Sequence, residues 1–291
     1  MRISLLYGEH AGRGVSIRQL RERLARGGHE ILRIVEKSRS DPLLDASTEL
    51  VVAAGGDGTV SAAARAVAGR GVPLAILPLG TANNIARSIG MNGSVSEIIE
   101  SWENARRLPF DIGIASGEWG EHSFLESAGG GLVSAGIAAM QNHAEDEQEK
   151  PACRLSAAVR RYTELLWQVK PRHWKLTLDA TPMRGDFLLL EVLNTPSIGP
   201  NLVLTPDANP SDGFFAVVTA GEEHREALSN YLRHRLEGRD VHLALPTRRA
   251  RQIEIEAGDE MHADSSLCPW AAAGTTSVRI EPAALQFLAA G

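Results

Sequence analysis

The sequence predicts two domains, an α/β domain of Rossmann-like type and an antiparallel β-sandwich, with a cleft between them. The chain has 291 residues, which is more than one hydrophobic core usually fills. Strand-like and helix-like segments alternate through the first third, as in parallel α/β sheets. After about residue 111 most segments are strands separated by turn residues, as in antiparallel sheets. We therefore place the domains at residues 1–114 and 115–291, and we consider that the last strand could return to the first domain.

The first domain is predicted from strands and helices in alternation. Its strands are the apolar runs RISLLY, HEILRIVE, ELVVAA and VPLAILPLG. The last of these is apolar throughout, as buried parallel strands are. A helix is predicted within SIRQLRERLARGG because apolar residues recur on one face and Ser16 can cap its start. Two further helices are predicted, at residues 61–68 and within TANNIARSIG.

The second domain is predicted to be mainly strands. Strand-like runs are KLTLDATPMRGDFLLLEVLN, NLVLTP, GFFAVVTAG and ARQIEIEAG. Two helices interrupt them, one from Arg154 to Val169 and one within HREALSNYLRHRLEG. The polar, acidic segment from Gln141 to Lys150 is predicted to be a mobile loop.

Composition excludes several classes of protein. The net charge is −6 and the isoelectric point about 5.9, so the basic footprint of a nucleic-acid binder is missing. Two cysteines, Cys153 and Cys268, are too few for a disulfide framework or a zinc site. The opening MRISLLYGEH is too short an apolar run for a signal peptide, and no stretch approaches the length of a membrane span. We expect a cytoplasmic protein that contacts membranes only peripherally.

A glycine-rich turn joins the strand ELVVAA to the helix that follows it. The turn consists of Gly55, Gly56, Asp57, Gly58 and Thr59. Glycines leave backbone N–H groups uncovered, and at a helix N-terminus such groups bind phosphate oxygens. Asp57 suits a magnesium ion, a water beside phosphate or a ribose hydroxyl. The alternative is a tight strand-to-helix turn with an N-capping aspartate, since a short motif is weak evidence by itself.

The next strand ends in a similar turn. Gly80 follows VPLAILPL, and Thr81, Asn83 and Asn84 bring hydroxyl and amide groups to the next helix start. Two such turns on neighbouring strands line the carboxyl-end crevice where open α/β sheets bind ligands. Helix capping alone would also explain Thr81 and Asn83. The paired occurrence favours nucleotide binding.

Six segments, in order along the chain, resemble one protein family. They are GGDGT, PLGTANNIAR, FDIGIA, FLESAGGGLVSAG, LVLTPDANPSDGFFAVV and ARQIEIEAGDEMHADSSL. Together they resemble the diacylglycerol kinase catalytic domain, which bacterial lipid kinases share with sphingosine and ceramide kinases. GGDG alone would also resemble NAD kinases and phosphofructokinases, which lack the later segments. The resemblance implies that the first domain binds ATP, that the second is a β-sandwich and that a lipid enters between them.

The resemblance also implies roles for individual residues. The ATP phosphates and their Mg²⁺ would be held by Gly55, Gly56, Asp57, Gly58, Thr59, Thr81 and Asn83. Asp212, with Phe214 beside it, matches a position that binds a structural Mg²⁺; an Asp-Gly pair is equally a strong signal for a plain hairpin turn. Asp111 matches an acidic position near the site, or alternatively caps a strand end.

The implied reaction transfers the γ-phosphoryl group of ATP to a lipid hydroxyl, on a diacylglycerol-like or a sphingoid acceptor. This transfer needs positioning, charge neutralisation and a base for the attacking hydroxyl. Magnesium and the Gly-rich turn, with Asp57 as its catalytic residue, would serve the first two needs, and Asp264 is the candidate base. A surface turn would also explain Asp264, because HADSS has a turn-like composition.

The chain departs from the family at this base. The family's Asp-Gly-Glu is Asp264-Ser265-Ser266 here, and serine cannot serve as a carboxylate base. Either Asp264 acts alone or Glu260 substitutes for the missing glutamate. The alternative function is a nucleotide- or lipid-binding pseudokinase of the same fold.

The expected partner is a lipid substrate at a membrane surface. Arginines concentrate in the segment from His224 to Arg239 and in PTRRAR, and basic patches attract anionic lipids. A solvated arginine-rich face is the alternative. A sandwich edge strand could also pair two subunits into a homodimer.

Overall fold

The computed structural model describes residues 1–8, 15–39, 41–141, 151–257, 260–268 and 274–289. The chain divides into two compact units, one formed by Met1–Asp111 with Pro282–Gly291 and one by Ile112–Glu281. The division after Asp111 lies close to the boundary that the sequence predicts after residue 114. The predicted loop at 141–150 lies outside the described residues, except for Gln141, which ends a helix.

The first unit contains strands and helices in alternation. Its strands are β1 (Arg2–Tyr7), β2 (Glu30–Glu36), β3 (Leu50–Gly55) and β4 (Leu74–Pro78). Its helices are α1 (Ile17–Arg26), α2 (Asp57–Val67), α3 (Asn84–Ser88) and α4 (Val95–Ser101). Strand β5 (Arg106–Gly117) leaves this unit, and the last strand, β18 (Gly274–Ala289), returns to it.

The sheet of the first unit is parallel. Its order is β2-β1-β3-β4, and the end of β18 pairs with β4 through Phe287 and Leu74. Every residue of β3 is buried, as its continuous apolar run predicts. Because the strands are parallel, the turns that follow β2, β3 and β4 lie at one edge of the sheet.

The helices confirm part of the prediction and correct the rest. Ser16 caps α1: its hydroxyl accepts a hydrogen bond from the Gln19 backbone. The helix predicted at 61–68 begins at Asp57 instead, with Gly56 as its N-cap. The glycine motif therefore forms the first turn of α2 itself.

The described part of the second unit contains two larger antiparallel sheets, a two-stranded antiparallel sheet and three α-helices. Its helices are α5 (Leu132–Gln141), α6 (Pro151–Leu166) and α7 (Arg225–Leu236). Its strands are β6 (Gly120–Phe124), β7 (Ser127–Gly131), β8 (Arg172–Leu178), β9 (Thr181–Phe187), β10 (Leu189–Leu193), β11 (Ser197–Ile198), β12 (Leu202–Val203), β13 (Phe215–Ala220), β14 (Thr247–Ala250), β15 (Gln252–Ala257), β16 (Met261–Ala263) and β17 (Ser266–Cys268).

The sheets form a sandwich that helices cover on one side. One sheet has the order β14-β13-β10-β7-β16-β17, and in the other β15 lies between β8 and the start of β18. Trp174 and Ile253 from the second sheet share a core with Leu190 and Phe215 from the first. The opposite face of the first sheet packs on side chains of α5, α6 and α7. None of the described helices is long and apolar enough to cross a membrane.

Candidate functional site

The glycine turns after β3 and β4 contact each other through backbone atoms. A Cβ atom on Gly80 would lie 2.2 Å from the Cα of Gly56, and one on Gly56 would lie 3.1 Å from the Cα of Gly80. Only glycine permits this approach, because it has no side chain that would separate the two backbone segments. The structure thus brings together the two turns that the sequence proposes as neighbours.

Asp57 and Thr59 both tie the first turn to its surroundings. One carboxylate oxygen of Asp57 accepts the backbone N–H of Ile85 at 3.0 Å, which joins the start of α2 to α3. Thr59 is buried, and its hydroxyl lies where side chains on Gly55 or Gly8 would be. Thr59 therefore shapes the turn from within, whereas the sequence proposes it as a direct phosphate ligand.

Asn83 braces the second turn. Its side-chain oxygen accepts the Gly80 N–H and its amide donates to the Gly80 carbonyl, both at 3.0 Å. Asn83 itself is in the left-handed conformation, with φ of 55°, which asparagine tolerates. The sequence proposes Asn83 as a nucleotide ligand, but its amide is used within the turn. Thr81 lies half-buried beside it.

Lys37 is a residue of this site that sequence reasoning misses. It follows β2, and its ammonium nitrogen would lie 2.9 Å from a Cβ atom on Gly58. Burial, followed by the nearby positive charge of Arg65, lowers the pKa of Lys37 below its ordinary value. A lysine over a glycine-rich turn adds a positive charge where the backbone N–H groups would bind phosphate. Its only sequence signal is its position directly after a parallel strand.

The aspartates differ in how well they fit a magnesium ion. Among the described residues there is no group of three His, Cys, Asp or Glu side chains that could hold a metal. Mg²⁺ in kinase sites takes one or two carboxylates, with phosphate oxygens and water completing its coordination. Asp57, at a helix N-terminus beside the uncovered backbone of the glycine turn, fits that requirement.

Asp212 takes part in a backbone turn and in an ion pair. One of its oxygens accepts the Phe214 backbone N–H at 3.0 Å, and the other forms a 2.6 Å ion pair with Arg249. The guanidinium groups of Arg249 and Arg251 each lie 4.3 Å from the centre of the Phe214 ring. The Arg249 guanidinium therefore balances the charge of this carboxylate in the structure. Asp212 thus shapes the turn before β13 and pairs with Arg249, and the magnesium role proposed for Asp212 and Phe214 stays a prediction.

Asp264 is held at the turn between β16 and β17. Its carboxylate accepts the backbone N–H groups of Leu125 and Glu126, the shortest contact being 2.8 Å to Glu126. Its own N–H donates to the Ser127 carbonyl at 2.8 Å. Asp264 is half-buried and has a φ of 50°. These bonds fix both its backbone and its carboxylate.

Of the other residues named with Asp264 in the sequence, Ser265, Ser266 and Glu260 lie close to it along the chain and Asp111 does not. Ser265 and Ser266 are exposed, and the Gln141 side chain donates to the Ser265 carbonyl at 3.2 Å. Glu260 is exposed and precedes β16. Asp111 belongs to the first unit instead, where its buried carboxylate accepts the Ala283 N–H at 2.7 Å. Asp111 is therefore tied into the sheet of its own unit.

The arginine-rich surface is largely neutralised by neighbouring carboxylates. Its ion pairs are Arg225 with Glu222, Arg235 with Asp240, Arg239 with Glu237 and Arg249 with Asp212. Arg225 also donates to the carbonyls of Leu166 and Val169. These contacts favour a solvated, structural role for the helical arginines.

The chain thus combines a parallel α/β sheet, which has two glycine-rich turns at one edge, with a β-sandwich that holds Asp264 in a fixed turn. The family model of the diacylglycerol kinase catalytic domain matches residues 7–115. The model of the YegS C-terminal NAD kinase beta sandwich-like domain matches residues 131–289, which is more than half of the chain. The chain therefore belongs to the diacylglycerol kinase and YegS-like family of lipid kinases, as the sequence motifs predict.

Individual proteins agree with this assignment. The chain is 28% identical to a diacylglycerol kinase of Mycobacterium tuberculosis over 305 residues, which cover 99% of this chain and 94% of that protein. It is 33% identical over 204 residues to "Probable lipid kinase YegS-like" of Pseudomonas aeruginosa, covering 69% and 62% of the two chains. A solved structure of a diacylglycerol kinase from Bacillus anthracis shares the fold, with a TM-score of 0.71 at 17% identity over 99% of this chain and 96% of that one.

Proposed function

We propose that this protein is an ATP- and Mg²⁺-dependent lipid kinase that transfers the γ-phosphoryl group to a lipid hydroxyl. The observation that carries the proposal is the contact between Gly56 and Gly80, which places two glycine-rich turns side by side at the edge of a parallel sheet. Such an edge is where open α/β sheets bind ligands. Membership of the lipid kinase family supports the choice of acceptor.

Three features of the first unit would serve phosphate binding: backbone N–H groups, Lys37 and Asp57. The backbone N–H groups of Gly56 and Gly58, at the start of α2, would donate to phosphate oxygens. Lys37 would add a positive charge above Gly58, and Asp57 would contribute one carboxylate oxygen to a metal. Magnesium, when bound with ATP, would neutralise negative charge on the phosphates.

The second unit would supply the base. Asp264 keeps its orientation through the Leu125 and Glu126 N–H groups, so its carboxylate needs little reorganisation to accept the proton of the attacking hydroxyl. The acceptor would be a diacylglycerol-like or a sphingoid lipid presented at a membrane surface, which the protein would contact peripherally.

A pseudokinase is the second candidate function, because serines stand where the family has glycine and glutamate. Both functions are tested by incubating the protein with γ-labelled ATP, Mg²⁺ and vesicles that contain diacylglycerol or a sphingoid base. A lipid kinase places label in the organic phase, and Asp57→Ala abolishes it. ATP binding without label, together with transfer gained by Ser266→Glu, would identify a pseudokinase.

Lys37→Met tests the phosphate site separately from chemistry. Loss of the ammonium should weaken ATP binding by about tenfold, or about 1.4 kcal/mol, in calorimetry. Because the pKa of Lys37 is lowered, the wild-type affinity should fall as the pH rises through that pKa, and Lys37→Met should lose this pH dependence. Lys170→Met, at an exposed lysine of the second unit, is the matched control. Equal affinities for the wild type and Lys37→Met would exclude Lys37 from the site.

A further inference from the structure

A fully buried ion pair lies directly behind the Asp264 turn. The Glu191 and His262 side chains are at most 1% exposed, and Glu191 Oε1 lies 3.0 Å from His262 Nε2. Buried ion pairs contribute little net stability, because desolvation offsets their attraction. Nothing in the proposed phosphate chemistry uses this pair, so its position calls for another explanation.

The glycine between the two side chains makes the contact geometrically feasible. Gly129 of β7 pairs with Glu191 on one side and with His262 on the other. The three residues thus form one row across three strands, and the outer side chains meet above the glycine. A Cβ atom on Gly129 would lie 2.6 Å from Glu191 Oε1. Any larger residue would therefore separate the pair.

The hydrogen bonds define where the protons lie. His262 Nδ1 is 2.9 Å from the backbone oxygen of Asp264, and a carbonyl oxygen can only accept, so Nδ1 carries a proton. The remaining proton is shared between Nε2 and the Glu191 carboxylate. Burial lowers the pKa of His262, but the charge of Glu191, with the hydrogen bonds of the histidine, raises it to a net value above the ordinary one.

We propose that His262 and Glu191 are positioning residues for Asp264. His262 fixes the Asp264 carbonyl from behind, Glu191 fixes the imidazole, and the backbone N–H groups of Leu125 and Glu126 fix the carboxylate from the other side. Loss of the imidazole releases the carbonyl, so the turn shifts and its carboxylate leaves the two N–H groups. The catalytic consequence rests on the proposed function, whereas the structural consequence does not.

The first test is kinetic. His262→Ala should lower kcat by roughly 100-fold, because small misplacements of reacting groups cost about this much, and it should leave KM for ATP unchanged. His262→Asn should restore most of kcat, since its amide can donate to the Asp264 carbonyl in place of Nδ1. Glu191→Gln is a second variant in case His262→Ala fails to fold, because glutamine has the same shape as glutamate. It should lower kcat severalfold, because its hydrogen bond to His262 is uncharged and weaker. Tyr162→Phe, at a fully buried residue near this pair, should leave kcat unchanged.

The second test is hydrogen exchange, which needs no activity. In His262→Ala the Leu125 and Glu126 amides should lose protection, and in Glu191→Gln they should lose it by a smaller factor. The amides of Arg251 and Gln252 donate to another carboxylate, Asp179, and should keep their protection. Unchanged protection at Leu125 and Glu126, equal losses at all four amides, or no rescue by His262→Asn would each overturn the positioning role. A wild type that labels no lipid would defeat the proposed function, while the exchange pattern would still decide the positioning role.

Discussion

Two aspartates of the second unit have nearly the same turn geometry but different surroundings. Asp264 has a φ of 50° and Asp179 a φ of 45°, and each carboxylate accepts two consecutive backbone N–H groups. Asp179 is exposed at the turn between β8 and β9, whereas Asp264 is half-buried in front of Glu191 and His262. Two N–H donors are therefore a common way to fix a turn and do not mark a catalytic residue. What distinguishes Asp264 is the buried pair that holds its carbonyl.

The largest expected effect comes from neutralising the two aspartates in turn. Asp264→Asn should lower phosphotransfer by about 10²- to 10⁴-fold, the usual contribution of a positioned base, while Asp179→Asn should leave it near the wild-type rate. Both variants keep an oxygen that accepts the backbone N–H groups, so their thermal stabilities should change alike. Equal losses of activity in Asp264→Asn and Asp179→Asn would contradict a catalytic role for Asp264. They would show that a carboxylate in such a turn affects activity only through the fold.

Gly129→Ala should have the next largest effect. Its Cβ atom would lie 2.2 Å from the Leu190 carbonyl oxygen as well as 2.6 Å from Glu191 Oε1, and overpacking of this kind costs about 1–3 kcal/mol. We expect lower thermal stability and loss of amide protection around Asp264, with no loss around Asp179. Gly274→Ala is the control, because its Cβ atom would meet only ordinary contacts with Glu118. If Gly129→Ala were as stable as the wild type, the row of Glu191, Gly129 and His262 would tolerate a side chain between the glutamate and the histidine.

The sequence predicts the first unit's site better than the second unit's. The turns at Gly55–Thr59 and Gly80 are visible because a local motif, glycines after an apolar strand, sets their backbone geometry. Glu191 and His262 are 71 residues apart, and no local pattern joins them. The available signal is a glutamate inside the apolar run FLLLEVL, which requires a buried partner.

Asp212 also shows that a local motif does not reveal a partner that is distant in the sequence. Its Asp-Gly turn is predictable and the resemblance assigns it a metal, whereas its partner in the structure is Arg249, 37 residues away. A lone aspartate in a turn does not reveal which cation it binds, because a metal and a guanidinium satisfy the same oxygens. Only the pairing of β13 with β14 brings Arg249 beside it.

The smallest expected effect concerns the third carboxylate, Asp212, and its ion pair with Arg249. In the absence of nucleotide, the melting temperature of the wild type should be the same in Mg²⁺ and in EDTA, since Arg249 already neutralises Asp212. Arg249→Ala should lower stability by only about 0.2–1 kcal/mol, because the arginine side chain is 58% exposed and the pair is screened by solvent. The freed carboxylate should then make the melting temperature rise with Mg²⁺, and Arg248→Ala, at the exposed neighbour, should show no such response. The opposite result is an equal rise in melting temperature with Mg²⁺ for the wild type and Arg249→Ala. It would show that the Arg249 guanidinium does not prevent Mg²⁺ from binding at Asp212.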